Sequence, residues 1–148
     1  MKPAITHTRS LLIMIPLLTL LGCAGERPTT LGEANGQLGL CPDSPNCVSS
    51  AERRESHRIE PLDATLPEVK QAVAGMEGAQ IISEQGNYLY AEFTTRLMGF
   101  VDDVEFLADP AAGNVQVRSA SRLGKSDLGV NRKRIEAIRL AVQEQRSR

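Results

Sequence analysis

The sequence is poor in the residue types that build several common kinds of site. Its 148 residues include no tryptophan, two tyrosines, three phenylalanines, two histidines and three cysteines. So few aromatic side chains supply a stacking surface for bases or sugars poorly. Lysine and arginine total 17 against 18 aspartates and glutamates, so the chain lacks the positive charge that attracts nucleic acid. No HExxH motif and no phosphate-loop motif is present, which excludes the enzyme classes that those motifs mark. The sequence also has no internal repeat.

No apolar run is long enough to span a bilayer, but one has the form of a signal peptide. Residues 11–21 are almost entirely apolar and follow a start that carries Lys2 and Arg9. This pattern predicts a signal peptide over residues 1–22. Its ending, Leu-Leu-Gly before Cys23, resembles the lipobox of bacterial lipoproteins, in which the cysteine receives a diacylglyceryl group and becomes the new N-terminus. An ordinary secretory signal and an uncleaved anchor are the alternatives.

The cysteine count supports lipidation of Cys23. Three cysteines in an exported chain leave one unpaired, and acylation accounts for it. Acyl chains contribute ~0.8 kcal/mol per buried CH2, so two or more, such as a diacylglyceryl group with a palmitate, anchor a protein firmly. Ala24 rather than aspartate follows, and by resemblance to Gram-negative sorting this implies the outer membrane, with the domain in the periplasm. Without residues 1–22 the chain has 15 basic and 18 acidic residues, a net charge of −3.

Cys41 and Cys47 enclose a short loop with two prolines. We expect them to form a disulfide, contributing about 2 kcal/mol by the chain-entropy estimate. Free thiols and a two-thiolate metal site are the alternatives. Structural zinc sites need four ligands, and only His7, within the signal peptide, and His57, which we expect at the surface, could add any. We therefore expect no metal and no cofactor.

The mature chain is expected to hold one α+β domain. Residues 23–40 contain four glycines and a proline and predict a flexible tether to a single domain over residues 41–148. Apolar periodicity and end signals predict helices over 63–78 and 128–145 and strands over 79–83, 88–95, 100–108 and 114–121. Because one face of the strands is apolar, we expect a four-stranded antiparallel meander sheet with both helices on that face.

The last predicted hairpin carries most of the charge. The register that keeps its apolar residues on one face sets Phe106 opposite Val117 and Glu105 opposite Arg118, with Asp103 one pleat away. Cations also follow at the start of the last helix, where they oppose its dipole and call for a negative group, either internal or an external anion. The candidate ligand-binding residues are Asp103, Glu105, Arg118, Arg122, Lys125, Asp127 and Arg132.

Three functions fit these residues, besides a purely structural ion-pair network on an uncovered sheet face. The first is a non-enzymatic binding or scaffold module with a site for an anionic ligand or an envelope partner. The second is a carboxylate-based or metal-assisted hydrolase using Asp103 and Glu105, although Arg118 would lower both pKa values. The third is a domain that works through protein contacts, with Tyr88 and Tyr90 as anchors. We favour the first and assign no catalytic residue.

Four blocks of the sequence resemble one bacterial family. They are CPDSPNCVSS, IEPL, YLYAEFTTRLMGFVDDVEF and VRSASRLGKSDLGVNRKRIEAIR, in this order. Together they are similar to the family known as domain of unknown function 1499, over residues 40–140. The resemblance implies the fold of that family and an exported or membrane-attached location. It implies no reaction and no catalytic residue.

Overall fold

The computed structural model of the chain describes residues 24–148, so the predicted signal peptide and Cys23 lie outside the described residues. Within that range there are seven strands and two helices. In chain order they are β1 Glu33–Ala34, β2 Gln37–Leu38, β3 Cys47–Ser49, α1 Leu66–Ala74, β4 Ala79–Gln85, β5 Tyr88–Thr94, β6 Val101–Asp109, β7 Asn114–Ser121 and α2 Val130–Arg146.

The main sheet is antiparallel and has five strands in the order β3-β7-β6-β5-β4. The predicted meander of four strands corresponds to β4 to β7. The predicted strand number is wrong because β3 adds a fifth strand, pairing Val48 with Ser119 at the sheet edge. At three residues, β3 is too short for alternation to reveal it in the sequence. A separate two-stranded sheet joins β1 and β2.

Both helices pack on one face of the sheet, which confirms the expected α+β layers. Val69 and Val73 of α1 and Ile138 of α2 are fully buried, as is Phe106 of β6 beneath them. Burial of side chains of this size contributes about 1.5–3 kcal/mol each, so this layer is the main source of stability.

Both helices are shorter than predicted at their N-terminal ends. Thr65 has an extended backbone and forms a capping box with Glu68, so α1 begins at Leu66. At the other helix Leu128 and Gly129 have left-handed backbones, with φ of 53° and 78°, so α2 begins only at Val130.

The opposite face of the sheet is covered by residues 24–39, here named the N-terminal segment. Leu38 is buried, and the Gly36 carbonyl accepts a hydrogen bond from Gln116 Nε2 of β7 at 3.2 Å. The Gly39 carbonyl accepts one from Ser49 Oγ at 3.2 Å. The stretch expected to be a flexible tether thus makes contacts along the sheet in the structure, and its flexibility stays a prediction.

The predicted disulfide between Cys41 and Cys47 is confirmed. Both residues are buried and pack with Ala120 of β7. Because Cys47 is the first residue of β3, the disulfide ties the edge strand to the end of the N-terminal segment. His57, expected at the surface, is buried instead, with Nδ1 3.0 Å from the Cys47 carbonyl oxygen. Neither helix in residues 24–148 is long and apolar enough to cross a membrane.

Candidate functional site

The predicted pairing of Glu105 with Arg118 is confirmed, and it lies on the sheet face away from the helices. The two residues are register partners, and Arg118 Nη1 donates to Glu105 Oε2 at 3.0 Å. Tyr88 Oη donates to Glu105 Oε1 at 2.9 Å. The Glu105 side chain is 1% exposed and that of Arg118 11%, so the ion pair is screened from water.

A second ion pair on the same face joins Asp103 to Arg122. The guanidinium donates to both carboxylate oxygens, Nη2 to Oδ1 at 2.5 Å and Nε to Oδ2 at 3.1 Å. Arg122 Nη2 also donates to Glu92 at 2.7 Å, and Tyr90 Oη donates to Asp103 at 2.5 Å. We call Tyr88, Tyr90, Glu92, Asp103, Glu105, Arg118 and Arg122 the polar-face cluster.

Four groups of the cluster have shifted pKa values that favour their paired forms. The Asp103 carboxylate, followed by Glu92, raises the pKa of Arg122 against the opposing effect of burial. Burial raises the pKa of Tyr88 and Tyr90, and the neighbouring carboxylates raise both further. Burial would also raise the pKa of Glu92, but hydrogen bonds from Arg122, Arg27 and Tyr90 outweigh it and the pKa is lowered. Both tyrosines therefore stay protonated donors, and Glu92 stays a carboxylate at neutral pH.

The N-terminal segment binds directly to this cluster. The Gly32 amide donates to Glu105 Oε1 at 2.7 Å, and Arg27 pairs with Glu92 at 2.7 Å. Arg122 Nη1 reaches the Ala24 carbonyl oxygen at 3.5 Å. With Arg27 included, three guanidinium groups face three carboxylates. The charges of the face are thus balanced, and its carboxylates are covered by the chain itself.

One donor of the cluster has no partner. Arg118 Nε is buried without a hydrogen bond among residues 24–148. It faces the backbone of Gly39, where an added Cβ would lie 3.8 Å away. A buried donor without a partner costs about 1–3 kcal/mol, so the contact between segment and sheet is incompletely satisfied at this point.

Asp102 belongs to a separate network on the helix face of the sheet. It forms an ion pair with Arg134 of α2, which also lies over the Phe93 ring with Cζ 4.8 Å from the centroid. Arg134 Nη1 donates to Ser119 Oγ at 3.0 Å and to Asn131 Oδ1 at 2.7 Å. The anion expected to offset the first-turn cations of α2 is thus in part internal, since Asp102 neutralises Arg134.

The start of α2 is occupied by Asp127. Its carboxylate accepts hydrogen bonds from the backbone of Gly129 at 2.9 Å and of Asn131 at 2.8 Å. Burial alone would raise the pKa of Asp127, but these hydrogen bonds lower it. Asp127 therefore fills the place that was considered for an external anion.

The seven candidates consequently fall into three groups. Asp103, Glu105, Arg118 and Arg122 share the polar-face cluster, Asp127 caps α2, and the other two lie elsewhere. Lys125 is exposed on the loop after β7, and Arg132 Nη2 donates to the Ser56 carbonyl at 3.1 Å. Arg122 is engaged by Asp103 and Arg132 by Ser56, so these two candidates bind different partners. Ligand binding by any of the seven stays a prediction.

Several residues of the cluster were absent from the sequence-based set. Tyr90, considered as an exposed contact anchor, is 4% exposed and donates into the cluster. Glu92 alternates with Tyr88 and Tyr90 along one strand, so its place on this face was readable from the period of two. Arg27 and Gly32 gave no such signal, because they lie outside the main sheet. Their partners in the cluster are more than 60 residues away in the sequence.

A groove of about 370 Å³ lies at the end of the sheet where β4 turns into β5 and β6 into β7. Glu33, Tyr88, Leu107 and Asp109 are among its lining residues. Its two carboxylates make it unsuited to an anionic ligand. In the described part of the chain, no three His, Cys, Asp or Glu side chains are grouped so that they could hold a metal ion.

Comparison with known proteins identifies the family. Residues 37–142 match the family described as "Protein of unknown function (DUF1499)". The chain belongs to this family. Neither the curated proteins nor the solved structures contain a match to it. The DUF1499 match runs from β2 into α2, so both the polar-face cluster and the strand of the N-terminal segment nearest to it are inside the family domain. The family description carries no activity.

Proposed function

We propose that the chain is an exported lipoprotein, anchored through Cys23 to the inner face of the bacterial outer membrane. Its domain then acts in the periplasm as a non-enzymatic binding or scaffold module. The observation that carries this proposal is the balanced polar-face cluster, which holds the N-terminal segment, beginning one residue after Cys23, on the sheet.

The N-terminal segment makes the contacts expected of a chain that holds the proposed anchor close to the domain. Ala24, Arg27 and Gly32 each meet a different residue of the cluster, namely Arg122, Glu92 and Glu105. Hydrogen bonds to charged groups are stronger than those between neutral groups, and the contacts of Gly32 and Ala24 are partly buried, whereas the Arg27 side chain is 52% exposed. Three such contacts over nine residues keep the domain close to its anchor.

The same geometry disfavours the hydrolase alternative. A general acid or base must be able to exchange a proton with substrate. Asp103 and Glu105 are each 1% exposed, and each is bound by an arginine and a tyrosine. The N-terminal segment lies over them as well. A substrate would have to displace that segment and compete with both guanidinium groups.

A ligand or partner would therefore bind elsewhere on the loops around α2. Of the seven candidates, Lys125 is exposed, and Arg132 is partly exposed with its carbonyl contact at Ser56. Both are cations that an anionic envelope component could reach while the N-terminal segment stays in place.

Metabolic labelling with radioactive palmitate tests the anchor. We expect label in the full-length chain expressed in a Gram-negative host and none in Cys23→Ser. Equal labelling of the variant would overturn anchoring through Cys23. Membrane fractions separated by density should show the wild type with the outer membrane, and recovery as free periplasmic protein would contradict the proposed location.

Photo-crosslinking in cells tests the module. A photoreactive amino acid at Lys125 should give a covalent adduct with an envelope component. The matched control is the same amino acid at Lys70, a partly exposed lysine of α1 that pairs with Glu84 at 2.5 Å. The same adducts at both positions, or none at Lys125, would argue against a binding site on this loop.

A further inference from the structure

One end of the sheet exposes an unusual number of large apolar side chains. Leu97 is 92% exposed and Leu128 87%. Monomeric proteins seldom leave such side chains grouped in water without a use for them. We name this set the apolar end, and its members are Leu97, Met98, Phe100, Leu123, Leu128 and Val130.

The topology brings the two parts of the apolar end together. The loop between β5 and β6 supplies the first three residues, and the chain from the end of β7 to the start of α2 supplies the others. Asp102 and Ser121 are register partners, and the Arg122 amide donates to the Val101 carbonyl at 3.1 Å. The loop before β6 and the loop after β7 therefore lie side by side at the same end of the sheet.

Leu128 is doubly unfavourable in water. Its side chain is almost fully exposed, and its φ of 53° lies in the left-handed region, which residues with a Cβ seldom adopt. Asparagine or glycine would suit this backbone better. An exposed leucine held in such a conformation is the kind of local strain that accompanies a contact surface.

The N-terminal segment leaves the domain at this same end. The Ala24 carbonyl is within reach of Arg122, the residue that follows β7. Gly25 lies so close to Leu123 that an added Cβ would come within 2.9 Å of Cγ. Ala24 follows the proposed attachment point in the sequence, and it lies at the apolar end, whereas the groove is at the opposite end of the sheet.

Three exposed cations flank the apolar end, against two exposed acids and the half-buried Asp127. Arg96 is beside Leu97, and Lys125 and Lys133 are exposed on the loop after β7 and the first turn of α2. The nearby exposed acids are Glu26 and Glu77, the second of which lies 3.9 Å from Arg96. Apolar side chains flanked by lysine and arginine suit the interface of a bilayer with anionic lipids.

We infer that the apolar end docks on the surface of the bilayer that holds the lipid anchor, with leucine and phenylalanine side chains in the interface and Lys125, Lys133 and Arg96 at anionic headgroups. The inference rests on the proposed anchoring at Cys23 and gives the predicted anionic ligand a chemical class, the lipid headgroup. The groove at the other end of the sheet then faces away from the membrane.

Tryptophan fluorescence tests the docking, because the chain has no tryptophan of its own. Full-length Leu97→Trp is purified with its anchor and reconstituted in vesicles of phosphatidylethanolamine with phosphatidylglycerol, with or without lipids that carry a bromine quencher on the acyl chain. The matched control is Leu140→Trp, an exposed leucine about 15 Å further along α2 than Val130. We expect a blue shift and strong quenching at position 97 and neither at position 140.

A second variant tests whether Leu128 contributes, together with Leu97, to the docking of the apolar end. Leu128→Asn suits the left-handed backbone and removes an apolar contact, so in the Leu97→Trp background it should reduce the quenching while leaving the unfolding temperature unchanged or higher. If quenching in this double variant were as strong as in Leu97→Trp alone, the contribution assigned to Leu128 would be overturned.

Flotation of the vesicles keeps the two proposals distinguishable. Protein that floats with vesicles but shows no quenching at position 97 retains the anchor and overturns the docking. Protein that does not float overturns the anchoring and the docking with it. A blue shift that depends on protein concentration and does not respond to the lipid quencher would assign the apolar end to a second copy of the chain, which also overturns the proposal.

Discussion

Gly32 and Glu105, 73 residues apart in the sequence, are joined by a hydrogen bond of 2.7 Å from the glycine amide to the buried carboxylate. Glu105 thereby has three donors, one each from the backbone of the N-terminal segment, Tyr88 and Arg118. The same carboxylate is thus part of the sheet and part of the attachment of the N-terminal segment.

Glu105→Gln is expected to lower the free energy of unfolding by about 3 kcal/mol, because it leaves the Arg118 guanidinium buried without its counter-charge. Denaturant unfolding measures the loss. The double variant Glu105→Met with Arg118→Met should recover most of it, since apolar side chains of similar volume remove both charges. Glu33→Gln, at an exposed position of β1, is the control and should change stability by less than about 0.5 kcal/mol. A loss no larger than that of the control would contradict the assigned importance of the ion pair.

Arg122→Ala should loosen the N-terminal segment, because Arg122 contacts Ala24 and orients Glu92, the partner of Arg27. Losing about 1.5–3 kcal/mol of charge-assisted hydrogen bonding corresponds to roughly a 10- to 100-fold faster exchange of the segment's amides. Hydrogen exchange read by mass spectrometry would show it in peptides covering residues 24–39. The control is Arg58→Ala, which removes an exposed ion pair with Glu60. Equal exchange of the segment in both variants would count against its attachment through the cluster.

Acid should abolish the stabilisation by Glu68, which joins the start of α1 to the end of α2. Hydrogen bonds from Arg146 and Thr65 lower the pKa of Glu68 to about 2, whereas an unfolded glutamate titrates near ~4.3. A carboxyl with a lower pKa in the folded state stabilises above its unfolded pKa, and the gain is lost as the pH falls through the folded value. The free energy of unfolding of wild type should therefore exceed that of Glu68→Gln by about 1 kcal/mol at neutral pH, and this difference should shrink as the pH falls toward 2.

The measurement for Glu68 is denaturant unfolding of both proteins across that pH range. Glu144→Gln removes an exposed carboxylate of α2 without the capping contact and serves as the control. A difference between wild type and Glu68→Gln that stays constant down to pH 2 would show that the ionised carboxylate is not what stabilises the helix start.

Replacing Cys41 and Cys47 by serine should cost about 2 kcal/mol of unfolding free energy, because a loop of this length then closes without a covalent bond. The loss should appear first at β3, the edge strand that begins with Cys47. Hydrogen exchange of Val48 and Ser49 measures it locally, and thermal unfolding measures it globally. If the double serine variant protected β3 as well as the wild type does, the backbone pairing with β7 alone would be sufficient.

The sequence predicted the features that depend on local period and on short-range signals. The alternation of β6 and β7 was enough to place Glu105 against Arg118, because only one register keeps Phe106 and Val117 in the core. The capping residues Thr65 and Glu68 were recognisable from their spacing alone.

What the sequence missed depends on distant partners. The N-terminal segment has the composition of a linker, and its main contacts use backbone groups of glycines, which carry no side-chain signal. An internal anion for the first-turn cations of α2 was one of two expectations, but only the fold shows that Asp102 pairs with Arg134. Asn131 is fully buried because Ser121 and Asp127 surround it, which only the fold reveals.

While residues 24–39 are attached to the sheet, they cannot extend away from the domain. Released from Glu105 and Arg122, those 16 residues could extend by at most roughly 55 Å, a distance several times the thickness of a strand layer. Two buried ion pairs would then determine how far the folded domain can move from residue 24, so that the same chain has a short reach and an extended one.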